Sequence, residues 1–333
     1  MTFELLSLRV ARGLALATIG ALLASCGGSE DVDFVPARVL SFGDESSIIN
    51  ADGSKYTVNG IVPGSGTPGT LDCTLNPIWN QVLATSYGLT FPQCPGSVPA
   101  STPSSRILAQ PGATASGTGE RDLAQQITNQ LALPAAEGGG INTNDLATVL
   151  IGVNDVVAIY GRYKSGEITP DEAVSLAEQT GETIASQLNR ITAPGGKVII
   201  ETVPDVSVTP LGLAEDADGR ALLATLTERL NARLLVTLDN DGRKIGLIEI
   251  NPYLSAVLGN PAGYGLVNTT DAACLPTYPL PTCTTATLKK NDDGSNATAF
   301  SWLWADALQI SAGAHQQMGN LAASRAHNQP FSN

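Results

Sequence analysis

Four short apolar runs, at 39–42, 146–151, 197–202 and 245–250, constrain this chain more than any other feature. They are rich in β-branched residues and nearly continuous in hydrophobicity, as strands are when both faces of a sheet are covered. Amphipathic segments alternate with them at 78–87, 120–131, 169–190, 220–238 and 311–326. The third opens with Thr169-Pro170-Asp171-Glu172, a capping box with proline at the first helical position. Strand alternating with helix predicts a doubly wound α/β fold: three layers, α/β/α, around a central, mostly parallel sheet.

That prediction locates function. Ligands of open α/β sheets bind beyond the carboxyl ends of the strands. Asp44-Glu45 follows the first run, Asn154 the second and Pro204-Asp205 the third, so the three turns should meet on one rim.

The first residues belong to targeting. Arg9 and Arg12 precede the apolar stretch 14–24, which is too short to span a bilayer needing ~20 residues. Leu23-Ala24-Ser25-Cys26 resembles the bacterial lipobox, in which the cysteine is acylated and becomes the new amino terminus; the alternative is an ordinary secretory signal with a chance cysteine. By that resemblance Gly27, in place of Asp, favours the outer membrane. Residues 1–25 are then a signal peptide and 26–37 a tether. A single domain occupies 38–328, with insertion loops at about 50–71, 95–105 and 254–299, and 329–333 form a tail, with His327 beside it.

Charge and cysteines narrow the partners. A formal net charge of −13 repels nucleic acid, and no basic patch opposes it. Besides Cys26, four cysteines in an oxidising compartment imply two disulfides with three possible connectivities. Local pairing, Cys73–Cys94 and Cys274–Cys283, is preferred because both pairs lie in loop-rich insertions. With two histidines and no C-x-x-C, no metal site is expected, nor any cofactor. Asp-Gly and Asn-Gly sequences at 50–53, 216–219 and 291–294 lack the twelve-position calcium spacing and read as turns. Trp302 and Trp304 stand at alternate positions, as strand packing requires.

Six blocks in order resemble the SGNH/GDSL hydrolases. They are Phe42-Gly43-Asp44-Glu45-Ser46, Ile107 through Ala113, Ile151-Gly152-Val153-Asn154-Asp155, Val203 through Pro210, Asn251 through Asn268, and Trp304-Ala305-Asp306-Ala307-Leu308-Gln309. The resemblance implies the flavodoxin-like SGNH fold and an ester-cleaving site. Gly112 and Asn154 match its oxyanion donors, and Asp306 matches the acid that orients the base. The serine position, however, reads Glu45 and the histidine position Gln309. A carboxylate there repels the developing charge, and an amide takes no proton near neutral pH. Losing either member of such a triad costs about 10⁶ in turnover.

Two arrangements could rescue catalysis: a remodelled turn presenting Ser46 to His315, or Glu45 acting with Asp44 or Asp306 as paired carboxylates. The sequence therefore predicts a degenerate SGNH-family envelope lipoprotein, anchored to the membrane at Cys26. It would bind an ester, acyl or glycan ligand, or an envelope protein. The competing expectation is an active serine esterase using Ser46 and His315.

Overall fold

The four apolar runs pair into one sheet, to which a two-residue strand that the sequence did not announce adds an edge. The computed structural model describes residues 34–96, 98–99, 101–239 and 241–331. The signal peptide, Cys26 and most of the tether lie outside the described residues. Strands β1 (Arg38–Gly43), β2 (Arg106–Ile107), β3 (Asp145–Leu150), β4 (Lys197–Glu201) and β5 (Ile245–Ile248) stand in the order β2-β1-β3-β4-β5. All four pairings are parallel. This is the flavodoxin-like strand order, which places a switch point at the β1/β3 turns.

Alternation along the strands builds two cores. Leu40, Phe42, Ala147, Val149, Val198 and Ile200 point to one face. They pack on α2 (Leu123–Ala132), which follows α1 (Trp79–Ser86), and on α3 (Val153–Lys164), α4 (Pro170–Thr192) and α6 (Ala217–Thr237); the short α5 (Pro210–Leu213) precedes α6. Val39, Leu146, Leu150 and Ile199 point the other way, onto α1, α7 (Ile250–Gly259) and α8 (Ala312–Asn328). Helix α4 starts where its capping box predicts. The Thr169 hydroxyl accepts from the Glu172 amide at 3.3 Å, and Glu172 accepts from the Thr169 amide at 2.8 Å.

At the start of β1 and β3, Arg38 and Asp145 form a bidentate pair at 2.7 and 2.8 Å, both side chains nearly sealed from solvent. Arg38 also donates to the carbonyls of Gly138 and Gly140. The guanidinium therefore has partners for its buried protons, without which its desolvation would be costly.

Several boundaries differ from those predicted. Helix α3 directly follows the second run and begins after Gly152, at φ 122°, without a side-chain cap, so no start signal marks it. The segment 254–299 is not continuous loop: it contains most of α7 and strand β6 (Asn268–Ala272), which pairs in parallel with β7 (Trp302–Trp304). The apolar helix α7 follows β5 after one residue, so its first residue reads as more strand. Nor is the carboxyl end a loose tail. Phe331 is buried and meets the Phe34 ring edge-on at 5.4 Å, and His327 stacks on Tyr87 at 4.2 Å.

The insertions are tied down. Cys73–Cys94 and Cys274–Cys283 are disulfides with Cα–Cα distances of 5.7 and 5.9 Å. Lys55, fully buried, donates its ammonium protons to the carbonyls of Cys73, Leu75 and Asn76 at 2.8–2.9 Å. Three donors meet three acceptors, which fixes the 73–76 turn from inside.

Candidate active site

The first turn is shaped before any reactive group enters it. β1 ends at Gly43, with φ 135°, where a Cβ would fall 2.0 Å from the Leu150 carbonyl oxygen, so only glycine fits. Gln126 clamps the Gly43 backbone, accepting its N–H at 2.9 Å and donating to its carbonyl at 2.8 Å. Asp44 accepts the Ser46 amide at 3.1 Å and so caps the short 3-10 turn Glu45–Ser47.

This turn aims Glu45 into the second and third blocks. One carboxylate oxygen accepts the Gly112 amide at 2.5 Å; the other accepts the Asn154 side-chain amide at 2.9 Å. Asn154 is oriented by a further bond to the Ala113 carbonyl at 3.0 Å. Asp155 accepts the amides of Ala115 and Ser116 and the Ser116 hydroxyl, and Asp122 accepts the Thr114 amide and hydroxyl. The two donors expected to stabilise an oxyanion thus stand together, and a carboxylate of the chain itself fills them. Chemically it stands in for the acid that ester cleavage would leave behind.

The last block arrives at the same place. The Ser46 hydroxyl donates to the Gln309 side-chain carbonyl at 2.9 Å, both residues buried. Asp306 accepts the backbone amides of Leu308 and Gln309 at 2.8 and 2.6 Å. It braces its own turn and orients no imidazole.

His315 does not take part. Its ring is fully buried, neither nitrogen has a hydrogen-bond partner among the described residues, and burial with the nearby Lys55 charge lowers its pKa to about 3. The Ser46–His315 pair is therefore not assembled: the serine proton goes to Gln309, and none of the described residues hydrogen-bonds the ring.

The field at the site is acidic. Burial, and then the Glu45 charge, push Asp44 up to about 8. Burial raises Asp306, against the two amides it accepts, with a smaller contribution from Glu45. Burial and the same charge raise Tyr56, which places that phenol within the field of Glu45. Arg121 lies over Gly112, its Nη1 2.9 Å from where a Cβ would stand.

Sequence reasoning brought together Glu45, Gly112, Asn154, Ser46, Asp306 and Gln309. It missed the supports Gln126, Asp122 and Asp155, and the neighbours Tyr56 and Arg121. Gln126 and Asp122 lie in a segment read only as an amphipathic helix, and Asp155 sits unremarked beside Asn154. Beyond β4, the same rim holds a groove of about 400 Å³, with Asp205 and Asn251 at one side and Val208, Leu254 and Leu258 among its apolar walls. Pockets of this size suit small ligands.

A family model described as GDSL-like Lipase/Acylhydrolase matches residues 42–322. Comparison with curated proteins gave no match. Similar solved structures include a phospholipase A1 from Streptomyces albidoflavus (14% identity, TM-score 0.41, covering 87% of this chain and 98% of that one). Another is a structure described as an arylesterase of Agrobacterium tumefaciens (16%, 0.36, 86% and 96%). A Bacillus subtilis protein matches at 16% identity and TM-score 0.36 over 87% of this chain, which spans 56% of its length.

Proposed function

Because the chain belongs to the GDSL-like lipase/acylhydrolase family, we propose that it is a catalytically silent member: an envelope lipoprotein, anchored at Cys26, that binds a ligand without cleaving it. One observation carries this reading. The Glu45 carboxylate occupies both oxyanion donors, Gly112 and Asn154. A substrate carbonyl would have to displace a charged group holding two charge-assisted hydrogen bonds, and would then face no nucleophile with a base behind it. Ser46 donates to an amide oxygen that cannot take up its proton at neutral pH.

The ligand class follows from the frame. Ester, acyl or glycan groups suit a rim of this ancestry, and the groove beside Asp205 supplies apolar walls for one. An envelope protein as partner would use the same rim. The lipobox resemblance at Leu23-Ala24-Ser25-Cys26 supports the anchor and an outer-membrane location.

Two experiments test the reading. The native protein should neither hydrolyse p-nitrophenyl esters nor take a fluorophosphonate label; labelling that disappears in Ser46→Ala would overturn it. The double variant Glu45→Ser with Gln309→His should gain measurable hydrolysis of short esters. If that variant folds and stays inert, the cleft has diverged beyond the triad.

A further inference from the structure

We propose that the groove between α6 and α7 binds a single-chain amphiphile with a primary ammonium head, a free long-chain amine, which rests on the silent, ligand-binding reading and names the chemistry of the ligand.

The groove is long and narrow. Its α6 wall is one stripe of the helix, running from Ala224 to Leu235 at steps of three and four residues, about 16 Å along the axis. Val208, Leu235, Leu254 and Leu258 supply apolar surface. A volume of about 400 Å³ spread over that length takes one extended chain. A helix about 10 Å across and equally long would need on the order of 1,000 Å³.

The neutral polar groups of the floor are already spent on the chain itself. Asn231 accepts the Val203 amide at 2.9 Å and donates to the Val203 carbonyl at 2.8 Å. Asn251 accepts the Asp205 amide at 2.8 Å and donates to the Val203 carbonyl at 3.3 Å. Thr227 donates to the Leu223 carbonyl and accepts the Val206 amide.

Two carboxylates remain. Asp205 uses one oxygen on the Ser207 amide at 2.9 Å, and the Glu228 side chain forms no hydrogen bond among the described residues. Neither forms an ion pair among them, and no lysine, arginine or histidine lines the groove. Arg229 and Arg233 are turned to Glu178 and Glu182 of α4, and Arg220 donates to the Ser207 carbonyl at 3.1 Å.

Asp205 follows β4 and so stands at the rim end. Glu228 lies one helical turn, about 6 Å, beyond Ala224, inside the screening length of about 8 Å. A cationic head at the rim end therefore meets the field of both acids, which attract it, accept its hydrogens and repel a carboxylate. The apolar walls take the chain behind it. A phosphate beside the ammonium would bring a like charge to the same acids, which selects the free amine over an ethanolamine-headed lipid.

The test titrates decylammonium, below its micelle concentration, into the full chain with Cys26→Ser, so that no acyl group competes, and reads binding by calorimetry. Decylammonium should bind at least about tenfold more tightly than decanoate, and more tightly than neutral decyl glucoside. Asp205→Asn with Glu228→Gln keeps an acceptor for the Ser207 amide and should lower decylammonium affinity to that of the glucoside. Glu228→Gln alone, at an exposed position, should give part of that loss. Ala232→Trp, exposed on the α6 wall, should abolish binding with the melting temperature retained. Equal binding of decanoate, tighter binding of lysophosphatidylethanolamine or of a lysine-rich peptide, or binding that survives Ala232→Trp would each overturn the proposal. So would no binding of decylammonium at all. Ester hydrolysis, or a fluorophosphonate label removed by Ser46→Ala, would overturn the silent reading instead, by a signal separate from the amine titration.

Discussion

The Glu45 carboxylate and the Gly112 amide meet at 2.5 Å, with Asn154 closing on the second carboxylate oxygen at 2.9 Å. One carboxylate of the chain thereby takes up both donors that match the family's oxyanion-binding positions. A carboxylate supplies two acceptor oxygens, so both donors are satisfied at once.

Emptying the cradle should reveal its preference. Glu45→Ala orphans the Gly112 and Asn154 donors and is expected to cost about 1–3 kcal/mol of stability. Millimolar acetate or formate should recover part of the loss, raising the melting temperature of the variant and leaving the native protein unmoved. A variant indifferent to carboxylates would show that the donors need the tether of Glu45 to hold an anion.

The acid in the first turn should make stability fall with rising pH. Asp44 is pushed from 3.8 to about 8 by burial and by the Glu45 charge. Its folded value lies above its unfolded one, so its stability contribution is full below pH 3.8 and declines until about pH 8. Asp44→Asn keeps an acceptor for the Ser46 amide and removes this titration. The gap between variant and native unfolding free energies should change by about 1.4 kcal/mol per pH unit between pH 5 and 7. A constant gap across denaturant titrations in that window would contradict the assignment.

His315 acts in the opposite direction. Its folded pKa of about 3 lies below the ordinary 6.5, so the unfolded chain takes up the proton first and stability is lost as pH falls from 6.5 toward 3. His315→Leu removes both the titration and two unpartnered ring nitrogens. Acid unfolding of the variant should move to lower pH, with native stability at pH 7 kept or raised, since removing an unsatisfied polar group is rarely costly. A collapse in stability at pH 7 would show that the ring holds something together.

Lys55 is the internal post of the 73–76 turn. Lys55→Met leaves the carbonyls of Cys73, Leu75 and Asn76 without their donor. The expected cost is about 3 kcal/mol or more, read from urea unfolding. Faster amide exchange should be confined to the residues around 73–76. Uniformly faster exchange would point to global loosening.

Four of the five strands of the central sheet were legible because their signal is local: β-branched runs keep the same character wherever they are placed, whereas β2, two residues long, carries no such run. The absent serine and histidine were legible for the same reason, since Glu45 and Gln309 stand at fixed steps from Gly43 and Asp306 within their blocks. The disulfide partners followed from proximity in the chain. Helix α3 escaped because Gly152 gives no capping signal, and α7 because its apolar start continues β5.

What Glu45 does was decided by the fold alone. A sequence gives the identity of a side chain, but not which of several donors it will reach; that requires Gly43 pinned by Gln126, and the 112–116 loop pinned by Asp122 and Asp155. Likewise the sequence offered Ser46 one candidate partner, His315, six residues beyond Gln309. The tertiary structure chose Gln309, because its loop reaches the rim, while the neighbouring helix turns His315 into the core.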